Sequence, residues 1–289
     1  MTVRDYYYKH FYELSPKKQF HFATRMKNYF KTHYFDDYLK QNVPSTELRP
    51  ILMNNDFSKV VKFNLRKPLF EKYPELYGVE ATLFRIHHLL VEYNIDTRDE
   101  FKEIYPIEKL YQLSDGLLDD EDALKILSSW AINTICLTEE LFPRGENATG
   151  CLAEFADNLN PETTDATLFV YLCTHIIICE SNFYIKKLNN SINLKLLKNL
   201  LKKCSEVIDK NIDTISLDAG VEFLVCCNLV GVEYDKQKYM VKEICDDFKQ
   251  DSPYLINYRR DKTPGSYYHT LDGAEHINAL YIMSGLDSE

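Results

Sequence analysis

The sequence predicts an all-α fold of stacked helical hairpins. Three observations lead there. Apolar residues recur with the 3.6-residue period of a helix, and no stretch alternates with the two-residue period of a strand. Nine glycines and ten prolines in 289 residues are too few for a loop-rich or all-β chain. Helices that are apolar on most of their circumference alternate with helices that carry one apolar stripe and a charged face. The former belong inside and the latter outside. Short inner–outer pairs closed on themselves make an α/α toroid or an irregular helical barrel; left open they make a solenoid. No fixed-period motif is present, which argues against a regular repeat array.

The elements follow in order. Ser15 and Pro16 supply an N-cap and a proline at the first helical position, opening a helix over Pro16–Gln41 with Phe22, Met26, Tyr29, Phe30 and His33 on one stripe. Residues 1–38 are rich in Tyr and Phe interleaved with basic side chains. Such a mixture can stack on nucleic-acid bases, but it reads more simply as aromatic helices capping a helical body. Pro44, Pro50, Pro68 and Pro74 restrict the next stretch to short helices and loops. Residues 1–75 are therefore expected to form an aromatic N-terminal extension or cap, continuous with an α/α domain over 76–289. In that domain the periodicity predicts helices over Val79–Tyr93, Arg98–Leu113, Glu121–Leu141, Cys151–Leu159, Thr163–Lys187, Leu194–Asp209, Ser216–Val230, Lys236–Lys249 and Tyr267–Ser284. Breaks at Asn94-Ile95-Asp96-Thr97, Pro143-Arg144-Gly145, Asn189-Asn190 and Pro264-Gly265 punctuate them.

Composition narrows the function. Hydrophobic residues make up 45 % and charged residues 27 %, so the chain can bury a sizeable core. A net charge of −10 disfavours a nucleic-acid binder, which needs a basic face. None of the eight cysteines forms a C-x-x-C pair, and most lie in apolar helical runs, as in a reduced cytoplasmic protein. The longest apolar run, Ala166–Cys179, is too short to span a bilayer. Phosphate-binding and dinucleotide-binding glycine motifs, G-x-S-x-G, H-E-x-x-H and aspartate-rich magnesium motifs are all missing. No cofactor is expected.

Ionisable residues inside the most apolar segments are the functional clue, because a buried charge costs several kcal/mol unless it is paired or neutralised. His175 interrupts Ala166–Phe183, Glu222 interrupts Leu217–Gly231, and His269, Asp272 and His276 form a stripe in Tyr267–Gly285. A Glu–His pair between inner helices, Glu222 with His175 or His269, suits acid–base work and equally serves as a strut. His175 and Cys179, one turn apart, offer two zinc ligands that His269 or His276 could complete, but the two-plus-two spacing of strong zinc sites is missing. Glu180 reads as a charge at a helix end. Of Arg85, His87 and His88, adjacent histidines diverge by about 100°, so one at most faces any cavity.

Thr174-His175 followed by Ser181-Asn182-Phe183, then Glu222-Phe223-Leu224 with Leu229-Val230-Gly231, then Tyr268-His269-Thr270, resembles the T-H…[ST]-D-F, E-L-L…L-x-G and Y-H-T motifs of a family of uncharacterised bacterial all-helical proteins. The resemblance lends no activity. It implies that His175, Glu222 and His269 belong to one constellation. Asn182 stands where that pattern has Asp. The expectation is a cavity with His175, Glu222 and His269 as acid–base residues and Tyr268, Asn182, Asp272 and His276 around a small-molecule or peptidic ligand. The alternative is a helical scaffold for a partner protein, its buried polar groups structural.

Overall fold

The computed structural model describes residues 1–54, 56, 65–249, 252–256 and 266–288, and among these there is no strand. The helices are α1 (Val3–Lys9), α2 (Pro16–Phe30), α3 (Asp36–Gln41), α4 (Arg49–Leu52), α5 (Lys67–Lys72), α6 (Leu76–Tyr93), α7 (Arg98–Ile104), α8 (Ile107–Leu118), α9 (Ser129–Leu141), α10 (Ala148–Asn158), α11 (Ala166–Glu180), α12 (Leu194–Asn211), α13 (Leu217–Val230), α14 (Asp235–Lys249) and α15 (Leu271–Ser284). No described helix is long and apolar enough to cross a membrane.

The larger departures from the sequence reading each have a local reason. The helix from Pro16 stops at Phe30, where Lys31 turns left-handed (φ 55°), and α3 starts afresh at Asp36. Pro106 caps α8 and divides Arg98–Leu113 into two helices. Glu121–Leu141 is broken by a π-helical stretch, Ala123–Leu127, and a kink at Ser128. Thr163–Lys187 ends at Glu180. Tyr267–His269 forms a separate 3₁₀ turn before α15.

The inner and outer division follows the sequence pattern. Every residue of α13 except Asn228 is buried, while α12 and α14 bury one stripe each. The inner helices pack on one another in chain order, α6 on α9, α9 on α11, α11 on α13, α13 on α15, and α15 on α2. Beyond α15, α2 also touches α6, where Phe20 meets His88 (ring centroids 5.4 Å apart) and Lys27 pairs with Glu92 at 2.8 Å. All six run parallel: near one end Ser15 meets Asp272 and Thr167 meets Ser216, and near the other Asn228 meets Ser284 and His87 meets Glu140. The outer helices are the return legs. Within the N-terminal segment, α2 packs on α15 and reaches α6 through those two side-chain contacts. Asp287 fastens the seam by accepting from the Val3 and Arg4 backbone N–H groups at 2.7 and 2.9 Å, at the positive end of α1.

Gly78 is where α4 touches α6. A Cβ there would lie 2.1 Å from the Leu52 carbonyl oxygen. Backbone cannot yield as a side chain does, so Gly78→Ala is expected to lower stability by about 1–3 kcal/mol in urea unfolding.

Candidate functional site

Two polar groups lie between the inner helices. The first joins α2 to α15. Lys18, His21 and Arg25 form one stripe of α2, and Asp272, Glu275 and His276 form the answering stripe of α15. Glu275 is fully buried. It accepts from Lys18 Nζ at 3.1 Å, and both its oxygens lie within 2.8 Å of His21 Nδ1. Burial raises this carboxyl, but His21, Lys18 and Arg25 outweigh it and hold the group below the ordinary carboxylate range. Burial and the Arg25 charge push His21 down, so a neutral imidazole donates Nδ1–H to a carboxylate. Asp272 accepts from the Ser15 backbone N–H and hydroxyl at 2.7 and 2.9 Å and so anchors the start of α2.

The second group threads α6, α9, α11 and α13. Asn133 Nδ2 donates to Glu80 Oε1 at 3.1 Å, which fixes the amide so that Oδ1 faces His175 Nδ1 at 3.2 Å. The His175 proton therefore sits on Nδ1. Its Nε2 lone pair turns toward Glu222 Oε1, 3.7 Å away, and the Thr174 hydroxyl donates to that same oxygen. Burial pushes the Glu222 carboxyl up to about 7, against the pull of Thr174 and Arg25, and burial raises Glu80 to about 7 as well. Burial, with the Arg25 charge, drives His175 down to about 3. A neutral imidazole with a free lone pair beside a carboxyl that titrates near neutrality can pass a proton to or from a third group.

His175 keeps 19 % and His21 32 % of their side-chain surface accessible. Glu80 and His88 are likewise half-buried. Burial and the charges of His87, His21, Arg85 and Arg25 hold His88 neutral, down to about 3. Below His175 the chain turns left-handed at Asn182, Phe183 and Tyr184 (φ 51°, 51° and 74°). Such backbone is costly for residues with a Cβ and persists only where neighbours over-determine it. Here the Tyr184 N–H donates to Ser181 Oγ at 2.9 Å, the His87 ring nitrogen Nε2 meets Asn182 Oδ1 at 2.6 Å, and Phe183 packs on Phe84 and His87. The turn lays the buried Tyr184 ring across the C-terminal end of the inner helices, under Arg25.

Of the residues expected from sequence, His175 and Glu222 meet. His269 stands in the 3₁₀ turn ahead of α15, its carbonyl accepting from the Tyr254 hydroxyl at 3.1 Å. Tyr268 shares that turn, half-buried, its ring 5.9 Å from that of Tyr267. The His276 ring lies 5.7 Å from that of His21. Cys179 reaches Asn133 Oδ1 at 3.7 Å. Among the described residues no three His, Cys, Asp or Glu side chains are grouped to hold a metal. Cys179 and Asn182 also border an outer cavity of about 220 Å³ with Cys136, Glu139, Glu140 and Lys186. Its acids serve the loops: Glu139 accepts from the backbone N–H groups of Arg144, Gly145 and Glu146, and Glu180 from Ser191 and Asn193. The sequence reading passed over Glu275, His21, Arg25, Glu80 and Asn133. The three-and-four spacing of Lys18, His21 and Arg25 was the available signal for His21 and Arg25.

Comparison with protein-family models, with curated proteins and with solved structures found no match.

The two carboxyls predict opposite mutant effects. Glu275 lies below its ordinary range when folded, so its stabilisation is present above the unfolded value and lost as pH falls through the folded one. Glu275→Gln is expected to cost about 3 kcal/mol at pH 7, a difference that vanishes in strong acid. Glu222 is raised from 4.5 to about 7, so its ionisation penalises the fold increasingly from about pH 4.5 to 7. Glu222→Gln is expected to add stability on the order of 2–3 kcal/mol at pH 8 and little at pH 4.5. Melting temperatures of both variants across that range check the pair.

Proposed function

We propose that the parallel inner helices form an α/α-toroid-like chamber that binds a small molecule, and that His175 and Glu222 transfer protons on it. The observation that supports this most is the His175–Glu222 approach itself. The couple comes from adjacent inner helices, burial raises Glu222 to about 7 and lowers His175 to about 3, and His175 retains accessible surface. Glu222, protonated in part at neutral pH, is the acid. His175, with Nδ1–H tied to Asn133, presents Nε2 as the base. Thr174 and Asn133 position them, and Glu80 orients Asn133. The Ser181–Tyr184 turn is the floor, so the ligand enters from the end where the inner helices begin.

Native mass spectrometry of the purified protein against fractionated metabolites tests the reading. The wild type is expected to retain a small molecule at one copy per chain, and His175→Trp, which fills the space, to lose it while staying folded. Glu222→Gln is expected to keep the ligand and slow its conversion by about 100-fold or more. A wild type that retains nothing, together with His175→Gln and Glu222→Gln variants that melt lower at pH 8, would make the cluster a structural network and sink the proposal.

A further inference from the structure

Arg25 sits inside the ring and makes no hydrogen bond or ion pair with any described residue. Its Nη1 is buried without a hydrogen-bond partner, and its guanidinium lies over the Tyr184 ring, 5.3 Å from the centroid. Its charge bears on Glu275 of α15, on His21 beside it on α2, on His88 of α6, on His175 of α11 and on Glu222 of α13, so it stands near the middle of the groups that line the interior. The side chain is half-buried, and a guanidinium nitrogen buried with nothing to bind is destabilising. Two carboxyls lie in the same enclosure and neither takes it. Glu275 is held by Lys18 and His21, and Glu222 by Thr174.

We propose that Arg25 is the anchor for an anionic oxygen group, carboxylate or phosphate, on the ligand of this chamber. The inference rests on the chamber reading above and specifies its ligand: a small organic acid or phosphate ester. The planar fork of a guanidinium matches both groups in bidentate fashion. Charge supports the assignment. Glu275 is balanced by Lys18, the imidazoles of His21, His88 and His175 are neutral, and Glu222 and Glu80 are protonated in part near pH 7. Among the described residues neither Arg25 nor Arg85 has a carboxylate partner on this wall, but Arg85 donates to the Ser45 carbonyl, whereas Arg25 Nη1 is buried with nothing to bind. An anion seated on it repels the ionised forms of Glu222 and Glu80, so binding takes up protons and weakens as pH rises through about 7. Lys18, His21, Glu275 and His276 face the same space from α2 and α15, and Arg85 and His88 from α6.

Isothermal titration of the full chain with inorganic phosphate, with acetate and with glucose, at pH 6 and pH 8, tests this. Phosphate or acetate is expected to bind, more tightly at pH 6, and which of the two binds tells the phosphate source from the carboxylate one. Arg25→Met is expected to weaken that binding roughly 10- to 100-fold, with an unchanged or higher melting temperature, because it removes an unpaired buried charge. Arg25→Lys is expected to recover part of the binding. Equal anion binding by Arg25→Met, or a clearly lower melting temperature of that variant with no change in binding, overturns the inference. Glucose binding with neither anion bound overturns it and leaves the chamber standing. No binding by any probe, with no retained small molecule in mass spectrometry, removes the chamber reading as well.

Discussion

The structure depends on one fully buried carboxylate. Glu275 has no water to solvate it, and Lys18 and His21 supply what water would have given. A charge this enclosed can be tolerated only if its partners are always in place, so the pairing fixes α2 against α15 in one register. Asp272 sets the same register a turn earlier through Ser15. With α2 locked there, its other side meets α6 at His88 and Glu92.

Enclosure explains why the interior groups are neutral or nearly so. The penalty for burying charge moves carboxyls up and imidazoles down, and Glu222, Glu80, His88 and His175 all shift in the direction that discharges them. Arg25 stands among them, its Nη1 buried without a hydrogen-bond partner. Its field then tilts the rest, holding the histidines low and opposing the rise of Glu222. A carboxyl drawn upward by burial and downward by a nearby cation comes to rest near neutrality, where proton transfer in either direction is inexpensive.

Much of the architecture was legible from the sequence, and less of the site. Helical periodicity separated α13, buried almost all round, from α12 and α14 with one apolar stripe each, because burial writes itself directly into residue type. The same logic marked His175 and Glu222, which interrupt apolar helices. It misread the last helix. Asp272 and His276 stood out, whereas Glu275, the most enclosed of the three, did not, because its partners Lys18 and His21 lie more than 250 residues away in sequence. The stripe of α2 was read by its aromatics, which pack toward α1 and α3, and the opposite stripe of Lys18, His21 and Arg25 resembled an ordinary solvated face. Nothing local could reveal the turn at Asn182–Tyr184, where left-handed backbone on Phe183 and Tyr184 is imposed by tertiary contacts.

Two buried polar groups in one interior, satisfied to different degrees, bear on whether that interior is a pocket or a plug. Around Glu275 the chain places a lysine and a histidine within hydrogen-bond reach. Around Glu139 it places three backbone N–H groups. The fold can therefore satisfy a carboxylate where stability requires it. Arg25 and Glu222 carry opposite formal charges inside the same ring and make no ion pair, and His175 stops 3.7 Å short of Glu222. A plug would gain from closing those gaps, since a half-satisfied polar network is less stable than a complete one or an apolar core. Groups held apart at a cost, while their neighbours are paired, are what a site completed by its ligand requires.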